Sequence, residues 1–382
     1  MVTLQNAENA LKSVYLGTMT DILNTRVNPL LSKIEQTTAD VWGKEIRTAC
    51  KVGINGGIGA GDEDGELPAA YGNNYLQFVS TLKNLYGQIE ISDKAIRASA
   101  DGRGAFTDLL NAELEGLLNA SKFNLGRMLY GDGSGLLANI KSCNSAYLFV
   151  DNINNLIEGL AVDVYGYDGT KKCTARITYI NRSNNAIVLS SRTNVISSDQ
   201  IFVQGSKGKE ITGLGALFNL DSIYGVKKSE HACLDPYKKD VGGPIDEIVM
   251  QEAIDTLENT AGSTVDFISC SQDVKYSFIE YMSAFKRNID TMELEGGFKT
   301  LSYNGLPLVY DRFVPSGTMF LLNTKAFKLH QLCDWRFLET ENGKILRQNQ
   351  GKPTYTATLV KYCDLICSKP NGQARLTGIT RA

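Results

Sequence analysis

The stretch Arg103–Gly133 constrains the fold of this chain more than any other. Its apolar residues recur at steps of three and four, the spacing of one apolar face on an α-helix. Such a helix would run on the order of 40 Å at about 1.5 Å per residue, and Gly131 and Gly133 provide a C-terminal stop. An ordinary core helix would show the same pattern, which therefore predicts a scaffold without indicating a function. The residues expected on its apolar face include Phe106, Leu110, Leu114, Leu117 and Leu125.

Length and charge narrow the class of protein. The chain has 382 residues, and Lys+Arg 39 against Asp+Glu 42 give a net charge of -3. This balance argues against a dedicated nucleic-acid binder with a basic face and against a polybasic membrane anchor. The N-terminus lacks the layout of a signal peptide, and no apolar run approaches the roughly 20 residues that span a bilayer. We expect a soluble protein of the cytosol whose eight scattered cysteines are reduced.

The glycine-rich segment Ile54–Asn74 separates two strand-like stretches, Trp42–Gly53 and Tyr75–Ile91. Its glycines, one proline and acidic residues exclude regular structure, which predicts a long hairpin with an irregular tip. A two-stranded ribbon is marginally stable alone, so we expect this one to lie on a neighbouring subunit; a disordered surface loop is the alternative. The tip residues expected at a subunit interface are Asp62, Glu63, Asp64, Glu66 and Tyr71.

The remaining segments divide by periodicity. Leu4–Ile34 is amphipathic and suits a helical arm, or else the first helix of a domain. Ala146–Gln204 carries short alternating runs split by turns, which indicates an inserted small barrel or sandwich. Farther on, Pro244 begins a helix–strand–helix pattern, with Ser271 as the cap of the second helix. The pair Asn304-Gly305 predicts a hairpin, and strands follow at Thr318–Asn323, Thr354–Cys367 and Arg375–Ile379.

Taken in order, these parts resemble the major capsid proteins of tailed bacteriophages, the Hong Kong 97 type of fold. The resemblance covers nearly the whole chain outside the β insertion. Its most specific parts are Gly87–Ser92, which leads into the long helix, and Asn304–Asp311 followed by Gly317–Asn323. It implies an α+β fold, a role as a shell subunit of a phage or prophage, no enzymatic activity and no cofactor.

The resemblance also implies a division of the chain. Residues 1–48 would form the N-arm, 49–91 the E-loop, 92–145 a P-domain with the long spine helix, 146–210 the inserted β domain, 211–353 the A-domain and 354–382 the C-terminal P-domain strands. The implied partner is the chain itself, in hexamers and pentamers. Scaffolding, portal and decoration proteins would be further partners, together with weak, non-specific contact with packaged DNA and none with a membrane. The place would be the virion capsid, assembled in the bacterial host cytoplasm.

Two departures from the family pattern bear on assembly. Some relatives carry a cleaved N-terminal scaffolding segment, whereas here the arm follows Met1, as in a mature form or a type with a separate scaffold. Other relatives join subunits by an isopeptide bond from an E-loop lysine. No lysine stands between Lys51 and Lys83 here, so we expect a non-covalent shell. The acidic tip is expected either to meet basic side chains of the next subunit, orienting docking, or to remain a solvated turn.

The sequence contains no recognisable catalytic, phosphate-binding or zinc-binding motif. The two histidines, His231 and His330, stand near no G-x-S-x-G turn, and no phosphate-binding glycine loop occurs. Cys363 and Cys367 lack the second pair that a zinc site would need. Two alternatives to a phage capsid remain: an encapsulin-like compartment shell, which the inserted β domain and long E-loop disfavour, and a β-rich enzyme or binding protein, which would require a polar pocket.

Overall fold

The computed structural model describes residues 28–94, 105–284, 291–294, 298–339, 343 and 345–381. Most of the predicted N-arm, residues 1–27, therefore lies outside the described residues. The described part mixes helices with four open sheets and one closed barrel. Short 3-10 helices connect some of these elements, at Lys228–Glu230, Ala232–Leu234, Thr324–Ala326 and Pro370–Gly372.

The N-terminal part of the described chain builds the predicted hairpin. Its elements are helix α1 (Pro29–Lys33) and strands β1 (Glu35–Thr37), β2 (Val41–Trp42), β3 (Glu45–Lys51), β4 (Tyr75–Thr81) and β5 (Lys83–Ser92). β3 and β4 pair antiparallel, with Lys51 opposite Tyr75. The returning stretch, predicted as one strand, is two strands, because the chain leaves the sheet of β3 at Leu82 and β5 pairs with a C-terminal strand instead. The sequence has a strand-like pattern both before and after Leu82, so it does not reveal that the pairing strand changes there.

The long helix predicted over Arg103–Gly133 is α2, which spans Ala105–Tyr130. Gly131 follows it and its N–H donates to the Met128 carbonyl at 3.1 Å. α2 lies against β5 at a point where only glycine fits, since a Cβ on Gly87 would lie 2.7 Å from Leu117 Cδ1. The C-terminal turns are buried in the core of the molecule through Phe123, Leu125, Met128, Leu129 and Tyr130.

The inserted module is a closed six-stranded barrel with the order β10-β7-β6-β11-β8-β9. Its strands are β6 (Leu136–Cys143), β7 (Leu148–Val150), β8 (Ala161–Tyr165), β9 (Lys171–Asn181), β10 (Ala186–Leu189) and β11 (Gln200–Val203). The barrel has its own core, in which Leu148, Leu156, Val162, Val164, Ile187 and Ile201 are fully buried. The predicted range of 146–210 omits the first strand. The sequence pattern did not identify β6, because its buried and exposed residues do not alternate: Leu137 and Ala138 are both buried.

A lobe of helices and strands follows the barrel. Its elements are α3 (Leu214–Asn219), β12 (Ser222–Ile223), β13 (Val226–Lys227), β14 (Tyr237–Asp240), α4 (Glu247–Ala261), β15 (Phe267–Cys270), α5 (Gln272–Ala284), β16 (Thr291–Leu294), β17 (Phe298–Tyr303), β18 (Leu306–Tyr310) and β19 (Met319–Leu322). The predicted helix–strand–helix is α4, β15 and α5. Pro244 lies before the first turn of α4, contrary to the prediction. Asp246 caps that helix instead, because its carboxylate accepts the Val249 N–H at 2.7 Å.

The hairpin predicted at Asn304-Gly305 joins β17 to β18. Asn304 and Gly305 have φ of 50° and 75°, the left-handed conformation that both central residues of a type I′ turn require.

The last strands are β20 (Phe327–Phe337), β21 (Arg347–Gln348), β22 (Thr354–Cys367) and β23 (Ala374–Thr377). β22 pairs with β5, β20 and β21 in a five-stranded sheet, whereas β23 lies between β14 and β19 in a seven-stranded sheet. This pairing crosses the bounds of the predicted division of the chain. β20 falls within residues 211–353 but joins the sheet of β5, and β23 falls within residues 354–382 but joins the sheet of the preceding lobe. Local pattern identifies a strand but does not select its long-range partner.

Candidate assembly surface

Residues 52–74, which we call the extension, project from the end of the β3–β4 hairpin. The Val52 N–H donates to the Asn74 carbonyl at 3.0 Å, and beyond this bond no strand ladder joins the two limbs. The limbs still touch, since a Cβ on Gly59 would lie 3.3 Å from Pro68 Cβ. Nearly every residue from 54 to 74 is exposed. The extension therefore has almost no contact with the body of its own chain.

Large apolar side chains stand exposed on the extension. Leu67 is 91% exposed, and Ile54, Ile58 and Tyr71 are each more than half exposed. Single exposed apolar residues are common on protein surfaces, but several on one narrow projection mark a surface that another protein covers.

The acidic residues predicted at the interface lie at the far end of the extension. Asp62, Glu63, Asp64 and Glu66 are exposed, and the Gly65 N–H donates to the Asp62 carbonyl at 3.1 Å, which closes the turn. Within the described part of the chain, none of these carboxylates forms an ion pair. The far end thus carries negative charge that its own chain leaves uncompensated.

The predicted spine-helix residues divide into two groups. Phe106, Leu110 and Leu114 lie in α2, but their side chains are outside the described part. Leu117 is half-buried against β5, and Leu125 is only 1% exposed. Leu125 therefore belongs to the core of its own chain.

The β3–β4 hairpin is held, at the end away from the extension, by a buried carboxylate that the sequence analysis missed. Asp364 of β22 accepts hydrogen bonds from the Ser80 hydroxyl and, at 2.7 Å, from the Thr212 N–H. Burial raises the pKa of this carboxyl, and the two donors oppose that effect. Ser80 belongs to β4, so Asp364 ties the hairpin to the five-stranded sheet. The extension accordingly projects from a hairpin that is fixed to the body of its own chain.

Two further buried charges were missed. Lys361 is fully buried in β22, with its Nζ 2.6 Å from an Asp334 carboxylate oxygen. Arg127 of α2 is 4% exposed and lies 2.5 Å from Glu210, where the chain leaves the barrel. A lone lysine within the apolar run Thr354–Cys367 was a signal for the first. Nothing near Arg127 distinguishes it from a solvated helix residue.

A third buried polar group lies where α2 meets the seven-stranded sheet. The hydroxyls of Tyr130 and Ser269 are 2.7 Å apart. Beside them, the Asp311 carboxylate accepts the Phe313 N–H at 3.0 Å. Burial raises the pKa of Asp311 to about 6 against this hydrogen bond.

The surroundings of the histidine and cysteine residues bear on whether they could act in catalysis or metal binding. His330 is buried with Nδ1 2.9 Å from the Ala39 carbonyl oxygen. Among the residues that the structure describes, no group of three or more His, Cys, Asp or Glu is placed to hold a metal ion. All eight cysteines carry free thiols, and four of them are buried. No helix in this part of the chain is long and apolar enough to cross a membrane.

Comparison with known proteins shows a likeness in fold rather than in sequence. No protein-family profile and no curated protein sequence matches this chain. Among solved structures, the capsid of cyanophage A-1(L) is similar over 97% of this chain and 93% of its own, with a TM-score of 0.55 and 13% identity. The chain has the Hong Kong 97-type capsid fold.

The Hong Kong 97-type fold here is of mixed α and β structure and carries the six-stranded barrel as an additional element. The SrpI encapsulin of Synechococcus elongatus is also similar, over 93% of this chain and 89% of its own, with a TM-score of 0.49 and 11% identity. The satellite phage P4 procapsid gives a TM-score of 0.45 and 9% identity, over 96% of this chain and 99% of that one.

Proposed function

We propose that this protein is the major capsid protein of a tailed phage or prophage. Copies of it would form hexamers and pentamers of an icosahedral shell around double-stranded DNA. The observation that carries the proposal is the extension, a projection from a fixed hairpin, whose apolar and acidic side chains find no partner in the described part of their own chain. The fold supports it, since the matched cyanophage structure is that of a capsid.

In this proposal the extension is the E-loop and lies on the adjacent subunit. Burying one side chain such as Leu67 stabilises a contact by about 1.5–3 kcal/mol, before the cost of association. Each contact is then weak enough to form and break during assembly, while many copies together give a stable shell. The tip residues Asp62, Glu63, Asp64, Glu66 and Tyr71 would lie in this interface.

The proposal keeps the predicted division into arm, E-loop, P-domain, inserted domain and A-domain. It assigns β20 and β23 to the sheets in which they pair. The spine helix would belong to the P-domain with the five-stranded sheet, and the seven-stranded sheet would form the A-domain. Scaffolding, portal and decoration proteins would be its partners in the virion. Contact with packaged DNA would be weak and diffuse, because the net charge of -3 gives little attraction for phosphates.

Negative-stain electron microscopy of the purified full-length protein tests the proposal. We expect closed shells or rings of five and six copies, and boiling these particles in detergent should release monomer because the extension lacks lysine. Monodisperse monomers at all concentrations and salt conditions would contradict the proposal. Shells purified from bacteria that hold a protein cargo instead of DNA would assign the chain to the encapsulin-like alternative.

A further inference from the structure

A cavity lies where β5, helix α2 and the chain leaving the barrel meet. Its volume is about 610 Å³, within the roughly 300–1,000 Å³ of typical ligand pockets. Residues 82–86 form one wall, the C-terminal half of α2 forms a second, and residues 203–206 and 208–210 form a third. We call it the neck cavity, because the chain leaving the barrel is joined to α2 here: Glu210 pairs with Arg127 of that helix.

The walls of the neck cavity carry uncompensated positive charge. Lys83 and Lys209 line it, and neither of them forms an ion pair with another described residue. The acidic side chain in the lining, Glu210, is already paired with Arg127. An anion entering this cavity would therefore meet two ammonium groups available to it.

The inner part of the cavity offers a second, independent feature. Trp335 lines it and is 4% exposed, and its Nε1–H has no acceptor in the described part of the chain. A buried donor without a partner costs free energy that a bound acceptor would recover. Leu85, Leu125 and Met128 are apolar lining residues beside it. The cavity thus suits a ligand that combines carboxylate oxygens with an apolar side chain.

We propose that the neck cavity receives the acidic end of the extension, residues 62–67, from a second copy of this chain. This inference rests on the proposed function and adds the location of the contact. The extension carries carboxylates next to Leu67, which is 91% exposed, and so matches the lysines, the indole N–H and the apolar lining together. Its own far end is exposed, so another copy must supply the occupant. The barrel would then take part in assembly through residues 203–210.

Disulfide trapping in assembled particles tests this contact. The variant Asp64→Cys/Lys209→Cys is prepared with Cys143→Ser, because Cys143 is the exposed native thiol. Oxidised glutathione accepts the two electrons that two thiols lose when they join. We expect a ladder of linked subunits on non-reducing gels. The matched control, Asp64→Cys/Lys141→Cys, uses an exposed lysine of β6 that does not line the cavity, and it should give none.

A charge exchange provides a second readout that needs no cysteine. Lys209→Glu should slow assembly roughly fivefold at low salt and less at high salt, since such charges act mainly on association rates. Adding Asp64→Lys should restore the rate, whereas Lys141→Glu alone should leave it unchanged. Shells that assemble normally but give no ladder, or a ladder equal to the control, would overturn the inference and leave the proposed function intact. Failure of the unmodified protein to form shells would instead overturn the proposed function.

Discussion

The barrel and the extension are both inserted between elements of the same fold, and they differ in how their backbone and apolar groups are satisfied. Every barrel strand pairs with a neighbour on each side, and its core side chains are buried without help from the rest of the chain. The extension has no ladder beyond its first pair and leaves its apolar side chains in water. The barrel is complete within one chain, whereas the extension is complete only against another.

This difference separates folding from assembly in one sequence. A closed barrel has no free edge and so cannot recruit further strands. An unpaired projection cannot stabilise itself, and ordering it costs conformational entropy that only an intermolecular contact can offset. Changes in the barrel should therefore alter the stability of the single chain, and changes in the extension should alter its association.

The largest expected effect comes from removing the extension. Replacing residues 55–72 by Gly-Ser-Gly should abolish closed shells. The free energy of unfolding of the single chain should change by less than about 0.5 kcal/mol, because the removed residues contribute no buried core. Negative-stain microscopy and urea unfolding measure the two quantities. Closed shells formed without these residues would remove the distinction between the two regions.

A matched pair of leucines tests the comparison by stability alone. Leu156→Ala in the barrel, where the side chain is fully buried, should lower the free energy of unfolding by about 2–5 kcal/mol. Leu67→Ala in the extension, where the side chain is 91% exposed, should change it by less than about 0.5 kcal/mol. Urea unfolding of unassembled protein gives both values. A large loss for Leu67→Ala would mean that the extension folds onto its own chain.

The smallest effect is a pH dependence of opposite sign in two buried carboxylates. In the barrel, Asp163 accepts hydrogen bonds from the Gly205 N–H and the Thr174 hydroxyl and pairs with Lys171. Burial alone would raise the pKa of Asp163, but these donors hold it below the ordinary 3.8. The stability it provides is present above pH 3.8 and is lost as the pH falls through the folded-state pKa. The loss in free energy of unfolding caused by Asp163→Asn should therefore become smaller at acidic pH.

Asp311, at the junction of α2 with the seven-stranded sheet, should behave the other way. Burial raises its pKa from 3.8 to about 6, so the folded state loses stability as the pH rises between these values, by no more than about 3 kcal/mol. The free energy of unfolding of Asp311→Asn should therefore rise relative to that of the unmodified protein as the pH increases over that range. Urea unfolding of both variants at several pH values from about 3 to about 7 measures whether each free energy of unfolding rises or falls with pH. Parallel curves for the two would show that burial does not set them apart.

Several elements could be predicted from local pattern because their cause is local. β22 has the limits that the apolar run Thr354–Cys367 indicates. The turn at Asn304-Gly305 follows from the tolerance of those residues for positive φ. By contrast, β6 was missed because its buried residues do not alternate, and Pro244 was misplaced because Asp246 is the stronger cap.

The sequence alone determined the long helix, the Asn304-Gly305 hairpin and the strand Thr354–Cys367. It also indicated that residues 54–74 have no means of regular pairing, since these properties depend on neighbours within a few residues. The tertiary structure decided which strand joins which sheet, how Asp364, Lys361 and Arg127 are buried, and that Lys83, Lys209 and Trp335 line one cavity. These features join residues far apart in the chain. Their free energy depends on burial and distance, which no local spacing encodes.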